Sequence, residues 1–336
     1  MRPAAPVYRL VARVHELIES VTARLPATDG ALLRGLLIGD DRDHPEHLVR
    51  AFRAAGMGHL VAVSGQNVTL VLAWVAPLIG TRRRGVRVAF IVTVVVMFAF
   101  VTRLEPSVVR AALMVIIARG AAAFGRDVAA SRALAATVAI LLVVDPLLVR
   151  SVGFVLSVAA TAGLIWLSPG LAAVLGTGPI ARVASATIVA QLAVAPFALW
   201  WFESLPIIAV PANVLAVPIA SGVMVVGLPL VLGCAVLESL MHAAPPPIAA
   251  VLSVVIDAAL LVVHVGVRAI WWVAVLAERI GPSAGLNVVA WLVAYAVCVW
   301  AVFRRRRRLR GETSGVLSDQ PRRAVRERSS GVGMEE

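Results

Sequence analysis

Residues 35–71 have the sequence GLLIGDDRDHPEHLVRAFRAAGMGHLVAVSGQNVTLV, and they join a polar head to the first long apolar run of the chain. An acidic turn leads into a short basic helix that ends at a Gly-x-Gly break. His59, Ser64, Gly65 and Asn67 follow, set inside the apolar run. Polar side chains are costly in hydrocarbon and usually face a bundle interior or a solute pathway. This stretch therefore predicts the start of a membrane-embedded site.

The composition is that of a membrane protein. Hydrophobic residues make up 60% of the chain and charged residues 15%, whereas about a quarter of a soluble domain is charged. Many apolar runs approach or exceed the ~20 residues that cross a bilayer as a helix. The sequence predicts an all-α, polytopic transmembrane helical bundle of about nine spans (8–10), with room for broken or re-entrant helices. The predicted spans are 59–80, 86–102, 107–124, 129–149, 151–168, 180–202, 207–237, 248–276 and 285–303.

Three regions are predicted along the chain. Residues 1–58 are expected to form an amphipathic, extracytoplasmic helical head, 59–303 the transmembrane domain, and 304–336 a basic, disordered cytoplasmic tail. The orientation follows from arginines in the loops, above all TRRRGVR at 81–87, because basic loops stay on the cytoplasmic side. In the seventh span, prolines favour breaks in the helix; they are Pro206, Pro211, Pro218 and Pro229.

Further polar residues lie within the predicted spans. Arg110, with Ser107 on the same helix face, either snorkels to the helix end or faces an aqueous path where it meets an anion. Asp145 is either a helix stop before proline or a site residue. Gln191 interrupts the sixth span, and Asn213 either satisfies a broken backbone or contacts substrate.

A charged stripe and an acidic turn each allow two interpretations. Asp257, His264 and Arg268 share one face of the eighth span, where internal charge pairing is favoured over a proton relay. The carboxylates of residues 40–46 resemble a metal site, but capping of a helix N-terminus is favoured. The chain has no HExxH or P-loop motif. The sequence therefore predicts a protein that is not an enzyme and has no metal or cofactor.

The order of several motifs resembles the membrane-embedded competence domain of the ComEC family, the inner-membrane channel for DNA uptake. The matching residues are Leu36, Leu37, Gly39, Asp40, Phe52, Arg53, Gly56, His59, Leu60, Ser64, Gly65, Val68, Ser107, Arg110, Ala111, Asp145, Pro146, Gly153, Phe154, Leu156, Ser157, Gln191, Pro196, Phe202, Asn213 and Pro218. Many members have His where this chain has Asn67, which can hydrogen-bond but cannot titrate. Full-length members also carry an OB-like domain and a metallo-β-lactamase-like domain, and this chain has room for neither.

The resemblance implies a permease core for single-stranded DNA in the bacterial inner (plasma) membrane, multi-pass, with a cytoplasmic C-terminus. Polar faces of the first, third and sixth spans would line the path. Membrane lipids, a separate nuclease and a cytoplasmic DNA-translocating ATPase are the implied partners, and a homo-oligomer is left open. Two alternatives stand beside this: a transporter of another anionic solute, and a truncated, non-transporting paralogue.

Overall fold

The computed structural model describes residues 6–61, 64–79, 83–176, 178–202 and 206–281, with short pieces between 286 and 300. Over these residues the protein is helical, and they contain no strand. The prediction of an all-α fold is therefore confirmed. The helices are α1 (Pro6–Thr22), α2 (Ala27–Ile38), α3 (Glu46–Ala54), α4 (Gly58–Val61), α5 (Gly65–Ile79), α6 (Arg84–Val101), α7 (Pro106–Ala123), α8 (Ala130–Val144), a 3-10 turn (Pro146–Arg150), α9 (Val152–Trp166), α10 (Ser168–Leu175), α11 (Pro179–Phe202), α12 (Ala209–Ala243) and α13 (Pro246–Ile280).

Within the described residues, five helices are long and apolar enough to cross a membrane. They are α6, α7, α11, α12 and α13, and the bent pair α9–α10 brings the number to six. Length and composition therefore do not confirm the predicted count of nine. The helices α5 and α8 lie within predicted spans but have 15 residues each. The last predicted span is described only in short pieces, and the basic tail lies outside the described residues.

The expected breaks in the seventh span are absent from α12, which runs through Pro218 and Pro229 as one helix of 35 residues. That prediction was wrong. Proline removes one backbone donor, but transmembrane helices tolerate it where neighbouring groups satisfy the freed carbonyls. The carbonyl that Pro218 leaves without its helical donor is that of Val214, in a part of α12 that packs against neighbouring helices. The clear bend lies between α9 and α10, whose axes differ by 55°.

The N-terminal helices pack into the same core as the long helices. Leu33 and Leu37 of α2 are fully buried, in one apolar cluster with Ala216 of α12 and Ile256 of α13. The buried face of α2 therefore lies against the α12–α13 hairpin. At its start, α1 leaves apolar side chains such as Leu10 exposed.

Charged residues of α13 pair with this N-terminal region. The Asp29 carboxylate of α2 is 1% exposed and lies 2.8 Å from His264 Nε2 and 3.5 Å from Arg268 Nη1. Asp257 lies 2.9 Å from Arg24 Nη1, just beyond α1. Internal charge pairing of the stripe is thus confirmed.

Candidate functional site

The sequence around Ser64 forms the start of α5, which packs between α7 and α12. On the α12 side, the α4–α5 region and α12 line a small open cleft. The residues lining this cleft are Leu36, His59, Leu60, Ser64, Gln66, Asn67, Leu70, Val217, Ala220, Ser221 and Met224. The structure therefore brings together three predicted site residues, His59, Ser64 and Asn67, in one cleft.

Asn67 holds the start of α5 against α2. Its Nδ2 donates to the Leu36 carbonyl at 3.3 Å, and its Oδ1 accepts from the Ser64 hydroxyl at 3.4 Å. The Asn67 amide thus uses its donor to bind the end of α2 and its acceptor to bind Ser64 at the start of α5. A neutral histidine has the same pair of functions, one donor nitrogen and one acceptor nitrogen.

Two cleft residues were absent from the predicted site. Gln66 Nε2 donates to Ser221 Oγ at 2.8 Å, which links α5 to α12 beside the opening. Gln66 lies between Gly65 and Asn67 in the polar cluster that follows His59. Its place in the sequence therefore already indicated that it could belong to the site. Ser221 lies in the small-residue segment Ala220–Gly222 of a long apolar run, where a serine can equally bond its own helix.

On the opposite side of α5, Arg110 of α7 is buried, with 6% of its surface exposed. Its Nε donates to Ser157 Oγ of α9 at 2.9 Å, and Nη1 lies 3.2 Å from the Met114 sulfur. The side chain is directed into the bundle, where it contacts α9 and Met114 of its own helix. The snorkelling interpretation of Arg110 is therefore wrong.

Gly65 makes room for this guanidinium. A Cβ atom at Gly65 would lie 2.6 Å from Arg110 Nη2, 3.0 Å from the Ala111 Cβ and 3.5 Å from the Ser107 carbonyl oxygen. The predicted residues Gly65, Ser107 and Arg110 therefore meet at one contact between α5 and α7. A side chain at position 65 would displace the arginine.

Arg110 is a buried cation that makes no ion pair with any carboxylate of the described residues. Burying a charge is costly unless it is paired or hydrogen-bonded. The planar guanidinium presents a fork of donors that matches phosphate and carboxylate groups. The arrangement around Gly65 thus holds a positive charge beside the start of α5, where it can recognise an anion.

The other predicted site residues serve elsewhere. Asp145 is exposed, and its Oδ1 accepts from the Leu147 amide at 3.0 Å in the turn after α8, which confirms the helix stop. Gln191 is buried on α11, which packs on α9. Asn213 Nδ2 donates to the Gly56 carbonyl at 3.5 Å. Asn213 therefore connects α12 to the end of the N-terminal head, and it does not satisfy the backbone of a broken helix.

The acidic turn forms ion pairs. Asp40 is buried and bonds Arg42 through both carboxylate oxygens, and Arg103 lies 3.7 Å away. The hydrogen bond from Arg42 lowers the pKa of Asp40 to about 2. Asp43 pairs with Arg34 at 2.9 Å, and the start of α3 has no side-chain cap. The prediction that Asp40 and Asp43 cap a helix was therefore wrong. Their carboxylates form ion pairs with arginines instead, Asp40 with Arg42 of the same turn and Asp43 with Arg34 of α2. The described residues contain no metal-ligand cluster.

The long apolar helices and the buried polar residues define a multi-pass helical membrane protein. The family model described as competence protein matches residues 36–308, and the chain belongs to that family. The ComE operon protein 3 of Bacillus subtilis (strain 168) is 26% identical over 214 residues, which are 63% of this chain and 27% of that protein. The match thus spans about a quarter of the relative's length. No solved structure matches the chain.

Proposed function

We propose that this chain forms the membrane-embedded core of a permease through which single-stranded DNA enters the cytoplasm. The observation that carries the proposal is Arg110, a buried cation held by the Ser157 hydroxyl beside Gly65. All of these residues belong to motifs shared with the family. A phosphate of the DNA backbone is an anion that a guanidinium fork binds well.

The cleft on the other side of α5 supplies neutral hydrogen-bonding groups. Four polar side chains line this cleft: His59, Gln66, Asn67 and Ser221. In the proposal they contact a single DNA strand without requiring one particular base. Channels for single strands combine positive charge with sequence-tolerant contacts. The proposed permease thus has neutral hydrogen-bonding groups on the α12 side of α5 and the buried charge of Arg110 on the α7 side.

The proposal includes a topology of nine spans in the bacterial inner membrane with a cytoplasmic C-terminus. It rests on the arginines of the loop 81–87 and of the segment 304–310, because basic segments flanking spans remain in the cytoplasm. The sequence has no P-loop motif. We therefore assign the driving force to a cytoplasmic DNA-translocating ATPase and strand degradation to a separate nuclease, and the permease itself is not an enzyme.

The test is uptake of labelled DNA in a competent host that carries Arg110→Gln, Arg110→Lys or, as a matched control, Arg126→Gln in place of the wild-type chain. Loss of a charged hydrogen bond is worth about 1.5–3 kcal/mol, so R110Q is expected to lower uptake about 10- to 100-fold. R110K retains the charge and is expected to keep part of the activity. Arg126 is exposed in the loop after α7, so R126Q is expected to match the wild type.

Membrane abundance of each variant is measured in parallel, which separates a transport defect from loss of protein. Wild-type uptake by R110Q at normal abundance would contradict the proposal.

A second candidate, a transporter of another anionic solute, is favoured by the same Arg110, since a guanidinium binds many anions. It predicts uptake of small anions into proteoliposomes in place of DNA uptake. A non-transporting paralogue predicts unchanged transformation when the gene is deleted.

A further inference from the structure

A basic cleft lies where α6 begins and α7 ends. Because α6 and α7 are joined by a short turn and pack together, the start of one and the end of the other lie on the same side of the bundle. The cleft is small and open to the surroundings. The residues lining it are Arg84, Arg87, Val88, Ile91, Arg119, Ala122 and Ala123.

The arginines of the cleft carry uncompensated charge. Arg84, Arg87 and Arg119 are exposed, and none of them forms an ion pair with a carboxylate in the part of the chain that the structure describes. Like charges that share one cleft repel each other, and an anion between them removes that repulsion. The fork of a guanidinium favours phosphate oxygens.

The walls of the cleft are apolar. Val88 and Ile91 lie one and two turns into α6, and Ala122 and Ala123 close α7. Both helices are apolar enough to span the membrane, so their ends lie at the level of the lipid headgroups. A ligand that fits this arrangement has a phosphate at the basic mouth and a hydrocarbon chain along the wall.

Such a convergence exceeds what membrane topology requires. Arginines that only orient a protein act through their number in a loop, and they need neither a common cleft nor an apolar wall. Basic pockets between transmembrane helices bind anionic headgroups. We propose that this cleft is a binding site for the phosphate of an anionic lipid, whose acyl chain lies along Val88 and Ala122.

The test uses the purified full chain in detergent and short-chain phosphatidylglycerol as the probe, with binding followed by native mass spectrometry. Short-chain phosphatidylcholine with the same acyl chains and inorganic phosphate are run beside it. The variants are R84Q/R87Q/R119Q and the cleft-filling Ala122→Leu. The matched control is R126Q/R132Q/R182Q, which removes the same charge from exposed arginines outside the cleft.

Each arginine near a headgroup contributes about 1 kcal/mol, so the triple cleft variant is expected to bind phosphatidylglycerol about 100-fold more weakly. Ala122→Leu keeps every charge and is expected to weaken binding about 10-fold by occupying the wall. The control variant and the wild type are expected to bind alike, and phosphatidylcholine is expected to bind weakly. Thermal unfolding of each variant identifies any that is misfolded.

Several results would overturn the site. One is equal loss of binding in the control and cleft variants, which would mean a general effect of net charge. Another is wild-type binding by A122L, which would place the lipid elsewhere. Inorganic phosphate that binds the cleft as tightly as phosphatidylglycerol would show that free phosphate, and not a lipid, is the ligand.

Discussion

Arg110 Nε donates to Ser157 Oγ at 2.9 Å, which joins α7 to α9 across 47 positions of the chain. Both residues lie in the range that matches the competence family, and nothing in their sequence spacing shows that they meet. The bond fixes the direction of a buried guanidinium. Ser157 is therefore a positioning residue for Arg110.

Replacing Ser157 by alanine is expected to lower the free energy of unfolding by about 1.5–3 kcal/mol, because the buried cation loses a hydrogen-bond partner. DNA uptake should fall with it, and Ser157→Thr should restore part of both. The control is Ser239→Ala, whose hydroxyl bonds only the Ala235 carbonyl of its own helix. Thermal unfolding in detergent and uptake in cells measure the two effects, and an S157A protein equal to S239A in both would contradict the assignment.

Gly65→Ala is expected to displace Arg110, because the new Cβ would lie 2.6 Å from its Nη2. Overpacking of this kind costs about 1–3 kcal/mol, and uptake should decrease. Gly233→Ala in α12 is the matched control, since its added Cβ meets no atom within 4 Å. Alanine is the better helix former, so G233A should be neutral or stabilising. Equal behaviour of the two alanine variants would argue against a role for position 65.

Asn67→His introduces the residue that the resemblance to the ComEC family implies at this position. A neutral imidazole can donate to the Leu36 carbonyl and accept from Ser64, as the amide does. We expect N67H to keep DNA uptake and N67A to reduce it. Since an imidazole can be protonated and an amide cannot, uptake by N67H should also acquire a pH dependence that the wild type lacks. A pH profile of N67H identical to that of the wild type would show that this side chain does not face the path.

Asp29→Asn is expected to destabilise the protein by about 1.5–3 kcal/mol, because the carboxylate is buried and meets both His264 and Arg268. Asp257→Asn on the same face of α13 is the control. Its side chain is 59% exposed, and exposed ion pairs contribute about 0–1 kcal/mol. Thermal unfolding of both variants in one detergent measures the difference in stability between D29N and D257N. Equal stability of the two variants would mean that the α2–α13 contact is unimportant for folding.

The ion pair of Asp40 is expected to make the folded protein less stable in acid. The hydrogen bond from Arg42 lowers its pKa from 3.8 to about 2, so the folded protein holds this proton less tightly than the unfolded chain. The stabilisation is present above pH 3.8 and is lost as the pH falls toward 2. It amounts to about 1–2 kcal/mol, because the exposed Arg42 is screened by water. Asp40→Asn should remove this part of the pH dependence between pH 5 and pH 2, and an unchanged slope would contradict it.

The order of the helices could be predicted from the sequence because apolar runs of membrane length are separated by arginines, glycines and prolines. The continuity of α12 could not, since proline breaks helices in water but is tolerated where neighbouring helices pack against the broken turn. The site was predictable in residue type only. Arg110 was conspicuous as a charge in an apolar run, whereas its contacts with Ser157 and Gly65 depend on how three helices pack.

The length of the α12–α13 hairpin has a consequence for the surrounding bilayer. A helix of 35 residues is about 52 Å long, and the hydrocarbon layer is about 30 Å thick. Tilt alone does not absorb so large a hydrophobic mismatch, so the lipids near these helices must thicken, or the helix ends must leave the bilayer under the cover of α1 to α3. The packing of these two helices is therefore expected to differ between short-chain and long-chain membranes.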